Sequence, residues 1–294
     1  MPSLHFGVIL PNYGPALDAE RLAGVARTAE EAGFDSGWVT DHVVVPDEHA
    51  ATYGTAAEAL VSLAFLVGRT QRLQVGVSAL VVPQRQPLVT LKQLATIDFL
   101  SGGRLLTAVT AGWMEPEFAA LGVPYGDRGR RLDAWLELAD SVFEQMPGRI
   151  RYDDGAVSID GWMDPAPARP GGPELWAAGV SRATIRRGAL LGTWHPVALP
   201  PDQLRPMAAE LRARRPDSRV VLRIGVYLKP EVQEGVDERG RHAIAGPPDW
   251  VAARLSEYVD AGCTGFVLNF DHQSPGLEDR VSQFATEVRP LIIR

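Results

Sequence analysis

The sequence predicts an α/β fold, a single (β/α)8 TIM barrel spanning residues 1–294, and three observations point to it. Short apolar runs alternate with stretches of helical periodicity, which demands crossover connections and hence a parallel sheet. The alternation repeats eight times, the number that closes a barrel. The first strand–helix turn, Pro11-Asn12-Tyr13-Gly14, has no G-x-G-x-x-G, so the rival doubly wound sheet lacks its usual dinucleotide fingerprint.

Leu4–Leu10 reads as the first strand, followed by a helix over Asp18–Ala32 with Leu22, Val25, Ala29 and Ala32 on one face and Gly33 as its stop. Phe34–Thr40 is the second strand, ending in Asp41-His42; a polar loop leads to a helix over Ala56–Val67. Leu73–Val82 and Leu88–Leu100 form the third unit, closed by Ser101-Gly102-Gly103, and Arg104–Thr110 and Arg128–Gln145 the fourth. There the alternation breaks. An extended surface insertion around 148–173 contains Arg149–Asp160 and a proline-rich stretch. The remaining strands are Leu175–Ala178, Gly192–Val197, Val220–Leu228 and Thr264–Phe270, with helices over Ser181–Leu191, Pro201–Ala213, Pro248–Ala261 and Leu277–Ile292.

Composition bounds the function. With 46% apolar and 22% charged residues the chain has the make-up of a soluble globular protein. A net charge of -7 opposes a general affinity for nucleic acid, which needs a basic face. No apolar run reaches the ~18 residues of a membrane span, and Met1–Gly7 does not read as a signal peptide. A cytoplasmic location and no membrane partner are expected. The lone Cys263 excludes an internal disulfide and reads as structural.

In such a barrel the working residues stand at the C-terminal strand ends. Asp41-His42 is the leading pair: a histidine titrates near neutral pH and can hold a proton at a reacting atom, while an aspartate can orient a ligand. The same two residues also suit a helix cap and a loop. Gly112 and Trp113 close the fourth strand. Trp38, Trp113 and Trp194 either wall a pocket for a flat ring or pack between barrel and helices. Ala177-Ala178-Gly179-Val180-Ser181 lets backbone approach an anion at a helix start, or is a tight turn capped by Ser181. His42, His195 and His272 invite a metal-dependent hydrolase, but H-x-H and H-E-x-x-H spacings are absent and no metal site is expected. His5, His49 and His242 read as ordinary strand or loop residues.

Several segments resemble the bacterial luciferase-like monooxygenase superfamily, in its branch of coenzyme F420-dependent oxidoreductases. They are Gly37-Trp38-Val39-Thr40-Asp41-His42, the run Gly76 to Pro83, Leu91 to Asp98 with Ser101-Gly102-Gly103-Arg104-Leu105, and Ala111 to Phe118. Leu121 to Pro124, Arg128 to Asp133, Leu175 to Gly179 and Gly192 to Pro196 follow in order, so that the resemblance covers about three-quarters of the chain. It implies a deazaflavin cofactor, coenzyme F420, with FMN as the alternative. It places Asp41 on the cofactor and His42 beside the reactive ring as proton donor or charge stabiliser. It also implies a non-proline cis peptide at Ser78–Ala79 behind the ring, and cofactor contacts from Gly112, Trp113 and Trp194. The turn Ala177, Ala178, Gly179, Val180 would hold the cofactor phosphate. The resemblance further implies a small organic substrate and a homodimer built through the early helices.

The fourth-strand segment departs from the glycine-richer turn of many relatives, and the nearest carboxylates are Glu115 and Glu117. The substrate pocket is expected from the loops Val43–Thr55 and the region after Trp162.

Overall fold

A computed structural model describes residues 4–236, 241–271 and 275–292. Eight parallel strands close on one another: β1 (His5–Ile9), β2 (Ser36–Val39), β3 (Gln74–Val81), β4 (Leu105–Thr110), β7 (Glu174–Ala178), β8 (Thr193–His195), β9 (Arg219–Leu228) and β12 (Gly265–Asn269). Each pairs with its neighbour in that order; β8 pairs β9, and β12 pairs both β9 and β1, which seals the ring. All eight fall within the ranges read from the sequence, to within a residue.

Helices cover the outside: α1 (Ala19–Glu31), α2 (Asp47–Tyr53), α3 (Ala59–Val67), α4 (Pro87–Ser101), α5 (Glu115–Ala120), α6 (Arg128–Gln145), α7 (Arg182–Leu191), α8 (Pro201–Arg214), α9 (Pro248–Asp260) and α10 (Leu277–Gln283). Their ends follow local chemistry. Asp18 caps α1 by accepting from the Arg21 N–H at 2.8 Å, and α4 stops at Gly102, whose φ of 67° suits glycine. No helix among the described residues is long and apolar enough to cross a membrane.

Two cores result. The larger lies between barrel and helices and takes the outward strand residues, such as Val220, Leu222 and Ile224 of β9, with Leu132, Trp135 and Ala139 of α6. The smaller fills the barrel itself and includes Ile9, Trp38, Leu106, Trp176 and Val267. Trp38 and Trp176 lie 4.7 Å apart between ring centroids. Room for them comes from glycine: a Cβ on Gly76 would meet the Trp38 ring at 2.6 Å, closer than atoms can pack.

Several elements exceed the sequence reading, the short helix α5 after β4 among them. The insertion is an antiparallel hairpin, β5 (Gly148–Asp153) with β6 (Ser158–Met163). A second hairpin, β10 (Gln233–Val236) with β11 (His242–Gly246), occupies the stretch after β9 read as a loop, and β11 extends the sheet along the C-terminal half of β9. The polar loop after β2 contains α2, so the helix expected from Ala56 starts at Ala59, with Glu58 as its cap.

Candidate active site at the C-terminal mouth of the barrel

A cavity of about 780 Å³ opens at the C-terminal strand ends, a size suited to a cofactor or drug-sized ligand. Asp41 and His42 enter it after β2, Ser78 and Ala79 from β3, Gly112 and Trp113 after β4, and Ala178 and Gly179 at the end of β7. Eight of the eleven predicted site residues therefore meet in one space. Ala177, Val180 and Trp194 are not in its wall.

His42 is held by a carboxylate 75 residues away. Its Nδ1 lies 3.3 Å from Glu117 Oε2. The other Glu117 oxygen accepts the backbone N–H of Val43 at 2.7 Å and of Val44 at 3.3 Å. Burial pushes the Glu117 carboxyl up, but hydrogen bonds from His42 and Val43 and the His42 charge outweigh it and hold it below the usual carboxylate range. An ionised Glu117 accepts a hydrogen bond from the Nδ1–H of His42 and leaves Nε2 as the ring nitrogen for chemistry. Tyr53 packs on the imidazole at 4.4 Å between centroids.

Asp41 lines the cavity and is held by its neighbours. Its Oδ1 accepts from Arg85 Nη2 at 2.6 Å, and its Oδ2 accepts from the Val81 N–H at 2.9 Å. Arg85 also reaches Glu58 at 2.8 Å. The buried carboxylate thus ties the end of β2 to the end of β3 and to the start of α3. It shapes the cavity by fixing its wall.

Beneath the cavity, the Ser78–Ala79 peptide is cis, as the resemblance implied. Arg223 of β9 donates to the Ser78 carbonyl and, at 3.3 Å, to Thr40 Oγ1. His195 is fully buried: its Nδ1 lies 2.6 Å from the Val221 carbonyl and its Nε2 2.8 Å from Ser78 Oγ. A carbonyl only accepts, so Nδ1 carries the proton and the Ser78 hydroxyl donates to Nε2. Burial, with the Arg223 and His5 charges adding to it, pushes the His195 pKa down to about 3, so the ring is neutral.

The turn after β7 leads into the cap of α7. Ser181 Oγ accepts from the Thr184 N–H at 3.2 Å, and Gly179, at φ 129°, donates its own N–H to the His195 carbonyl. Trp194 is fully buried behind this turn and donates to the Gly179 carbonyl at 2.8 Å, so its ring supports the wall from outside the cavity. Trp38 lies in the barrel interior, stacked at 18° on His195, and of the three tryptophans weighed above only Trp113 faces the cavity.

Sequence reasoning named Glu117 only as a carboxylate near the fourth-strand turn, missed Arg85, Arg223 and Arg241, and set His49 aside, although His49 lines the cavity. One signal was present. Arg223 interrupts an apolar strand at an inward position, two residues from the buried Val221, and a charge there requires partners. The loop Val43–Thr55 does supply His49, Thr52 and Tyr53 to the wall. The region after Trp162 supplies none of the described lining residues before Ala178; Arg241, beside β11, stands there instead. His195 has both ring nitrogens engaged, and no cluster of three or more metal-ligating side chains exists among the described residues. His272 lies outside the described residues. Cys263 is buried below β12, and burial pushes its thiol up.

Residues 4–245 match the luciferase-like monooxygenase family, and the chain belongs to it. It is 25% identical over 195 residues to the alkanal monooxygenase alpha chain of Photorhabdus luminescens, covering 64% of this chain and 52% of that one. It is 27% identical over 176 residues to the FMNH2-dependent dimethylsulfone monooxygenase of Pseudomonas putida, covering 58% and 46%. The chain thus spans about half the length of these curated relatives. The coenzyme F420-dependent tetrahydromethanopterin reductase from Methanopyrus kandleri has the same fold, with a TM-score of 0.81 over 99% of this chain and 100% of that one, at 16% identity.

Proposed function

We propose that this member of the luciferase-like monooxygenase family is an oxidoreductase that uses the deazaflavin coenzyme F420 and a small organic substrate. The observation that carries the reading is His42 in the cavity wall with its Nδ1 tied to the Glu117 carboxylate. That pairing fixes the tautomer and aims one nitrogen at a reacting atom, which is what a proton-handling residue needs.

The cavity residues fit such a cofactor. Ala79, Val81, Ala178 and Val197 give an apolar wall for a flat ring, while Arg223 and His42 bring polar edges. Bound there, the coenzyme would supply or accept a hydride at C5, the redox chemistry that no side chain of this site can perform. The chain's own work is narrower. Asp41 and Arg85 hold the β2 and β3 ends at a fixed spacing, Arg223 fixes the Ser78 carbonyl, and His42 Nε2 gives or takes the proton that balances the hydride at the substrate.

A second reading is an FMN-dependent monooxygenase, favoured by the monooxygenase activities of the two relatives above. Fluorescence titration with both cofactors separates the two. Coenzyme F420 is expected to bind at micromolar concentration or below. FMN binding at that level, with no response to the deazaflavin, would transfer the assignment to the monooxygenase reading.

A further inference from the structure

The mouth of the cavity combines an arginine with an aromatic corner. Arg241 lines the cavity, and its Nη2 donates to the Tyr53 hydroxyl at 2.7 Å. Tyr53 in turn packs on His42, so two contacts connect the guanidinium to the imidazole. Trp113, 52% exposed, stands edge-on to His49 at 5.1 Å and to His42 at 6.2 Å.

The charge of the wall points the same way. Among the described lining residues the one carboxylate is Asp41, and Arg85 neutralises it. Arg223 lies deep, against Ser78 and Thr40, and Arg241 lies at the mouth, beside Tyr53. Two guanidiniums in one cavity wall offer N–H donors to an anion. A guanidinium matches a carboxylate or phosphate through paired N–H donors, and an accessible indole beside a phenol favours a flat apolar body.

We propose that the site takes a substrate with a flat apolar body and one oxyanion, a carboxylate or a phosphate. Arg241 holds the oxyanion, and Trp113 and Tyr53 cover the body. This placement brings the remainder of the molecule against His42. It rests on the functional reading above for the role of His42, and adds the substrate class.

Isothermal titration of the protein with benzoate, phenyl phosphate and the neutral benzamide tests it, in the presence of saturating coenzyme F420 and, separately, of FMN. At least one anion is expected to bind about tenfold or more tightly than benzamide, the scale of one charge-assisted hydrogen bond, and the tighter of the two identifies the oxyanion. Arg241→Gln should bring that anion to the affinity of benzamide, and Arg241→Lys should restore part of the difference. Unfolding temperatures and cofactor affinities of both variants should match those of the unmodified protein.

Equal binding of benzamide and both anions, or no binding of any of the three, overturns the proposal. So does a preference that survives in Arg241→Gln, or a loss of cofactor affinity in that variant. A protein that binds neither cofactor sinks the functional reading instead, and the same titrations without cofactor still decide the anion preference.

Discussion

Two histidines stand at strand ends of the same barrel, and their surroundings give them opposite work. His42, after β2, lines the cavity with one nitrogen on an ionised carboxylate and the other unclaimed by that pair. His195, at the end of β8, is fully buried, with both nitrogens engaged by Val221 and Ser78 and its pKa lowered by burial to about 3. A strand-end position therefore does not make a histidine functional. What separates the two is whether a ring nitrogen is left over and whether a carboxylate, rather than a carbonyl, faces the other.

The comparison breaks first at His42. Positioned general acid–base groups contribute about 10²–10⁴-fold to rate, so His42→Ala should lower kcat on a confirmed substrate by that order while cofactor affinity, read by fluorescence, is unchanged. Glu117→Gln should cost less, about tenfold, and should move the pH–rate profile, because the neutral amide still fills the space but no longer holds the ring with a charge. Unaltered turnover in His42→Ala would remove the proposed proton transfer, and an unmoved profile in Glu117→Gln would reduce that residue to packing.

At His195 the expected effect is on stability. His195→Ala leaves the Val221 carbonyl and the Ser78 hydroxyl without their buried partner, a loss of about 3 kcal/mol in urea unfolding. The pH dependence follows from its sign. The folded pKa lies below the unfolded one, so between about 6.5 and about 3 the unfolded chain takes up a proton that the folded chain refuses. Stability is complete above this window and falls as pH falls into it, by up to about 1.4 kcal/mol per unit. His5, lowered by burial to about 4, acts in the same direction. Unfolding free energies from urea titrations at pH 7.5 and 5 should thus differ by about 2 kcal/mol or more. In His195→Gln only the His5 part should remain. An equal slope in that variant would assign the pH dependence elsewhere.

The contrast between what was legible and what was not has the same origin. The strands show in the sequence because burial on both faces forces continuous apolar runs such as Val220 to Leu222. Helix α2 does not, since its seven residues bury only Tyr53 and carry no periodicity. Strand β10, Gln233 to Val236, likewise has no alternation to read. In the site, strand-end placement and resemblance together located His42 and Ala79. The partners of His42 and Asp41 come from 75 and 44 residues away, and only the closed barrel brings them into range. Trp194 shows the converse: one residue before a cavity-side strand end, its side chain points to the outer core, because successive residues of a strand face opposite sides.

The smallest test addresses the segment that links the end of β8 to Arg223. Ala198 follows β8, lines the cavity and has φ 52°. Its N–H donates to the Arg223 carbonyl at 2.8 Å, and the neighbouring Val197 bridges to the same residue. A side chain in the left-handed region costs about 1–2 kcal/mol, while glycine there returns about 0.5–1 kcal/mol of that gain to the unfolded chain. Ala198→Gly should therefore raise stability by about 0.5 kcal/mol, or about 1–2 °C in Tm for a chain of this length. A drop of several degrees would mean that the Ala198 methyl group, rather than the hydrogen bond to Arg223, holds this wall in place, and that the cavity and the interior network beneath it are coupled more tightly than their hydrogen bonds indicate.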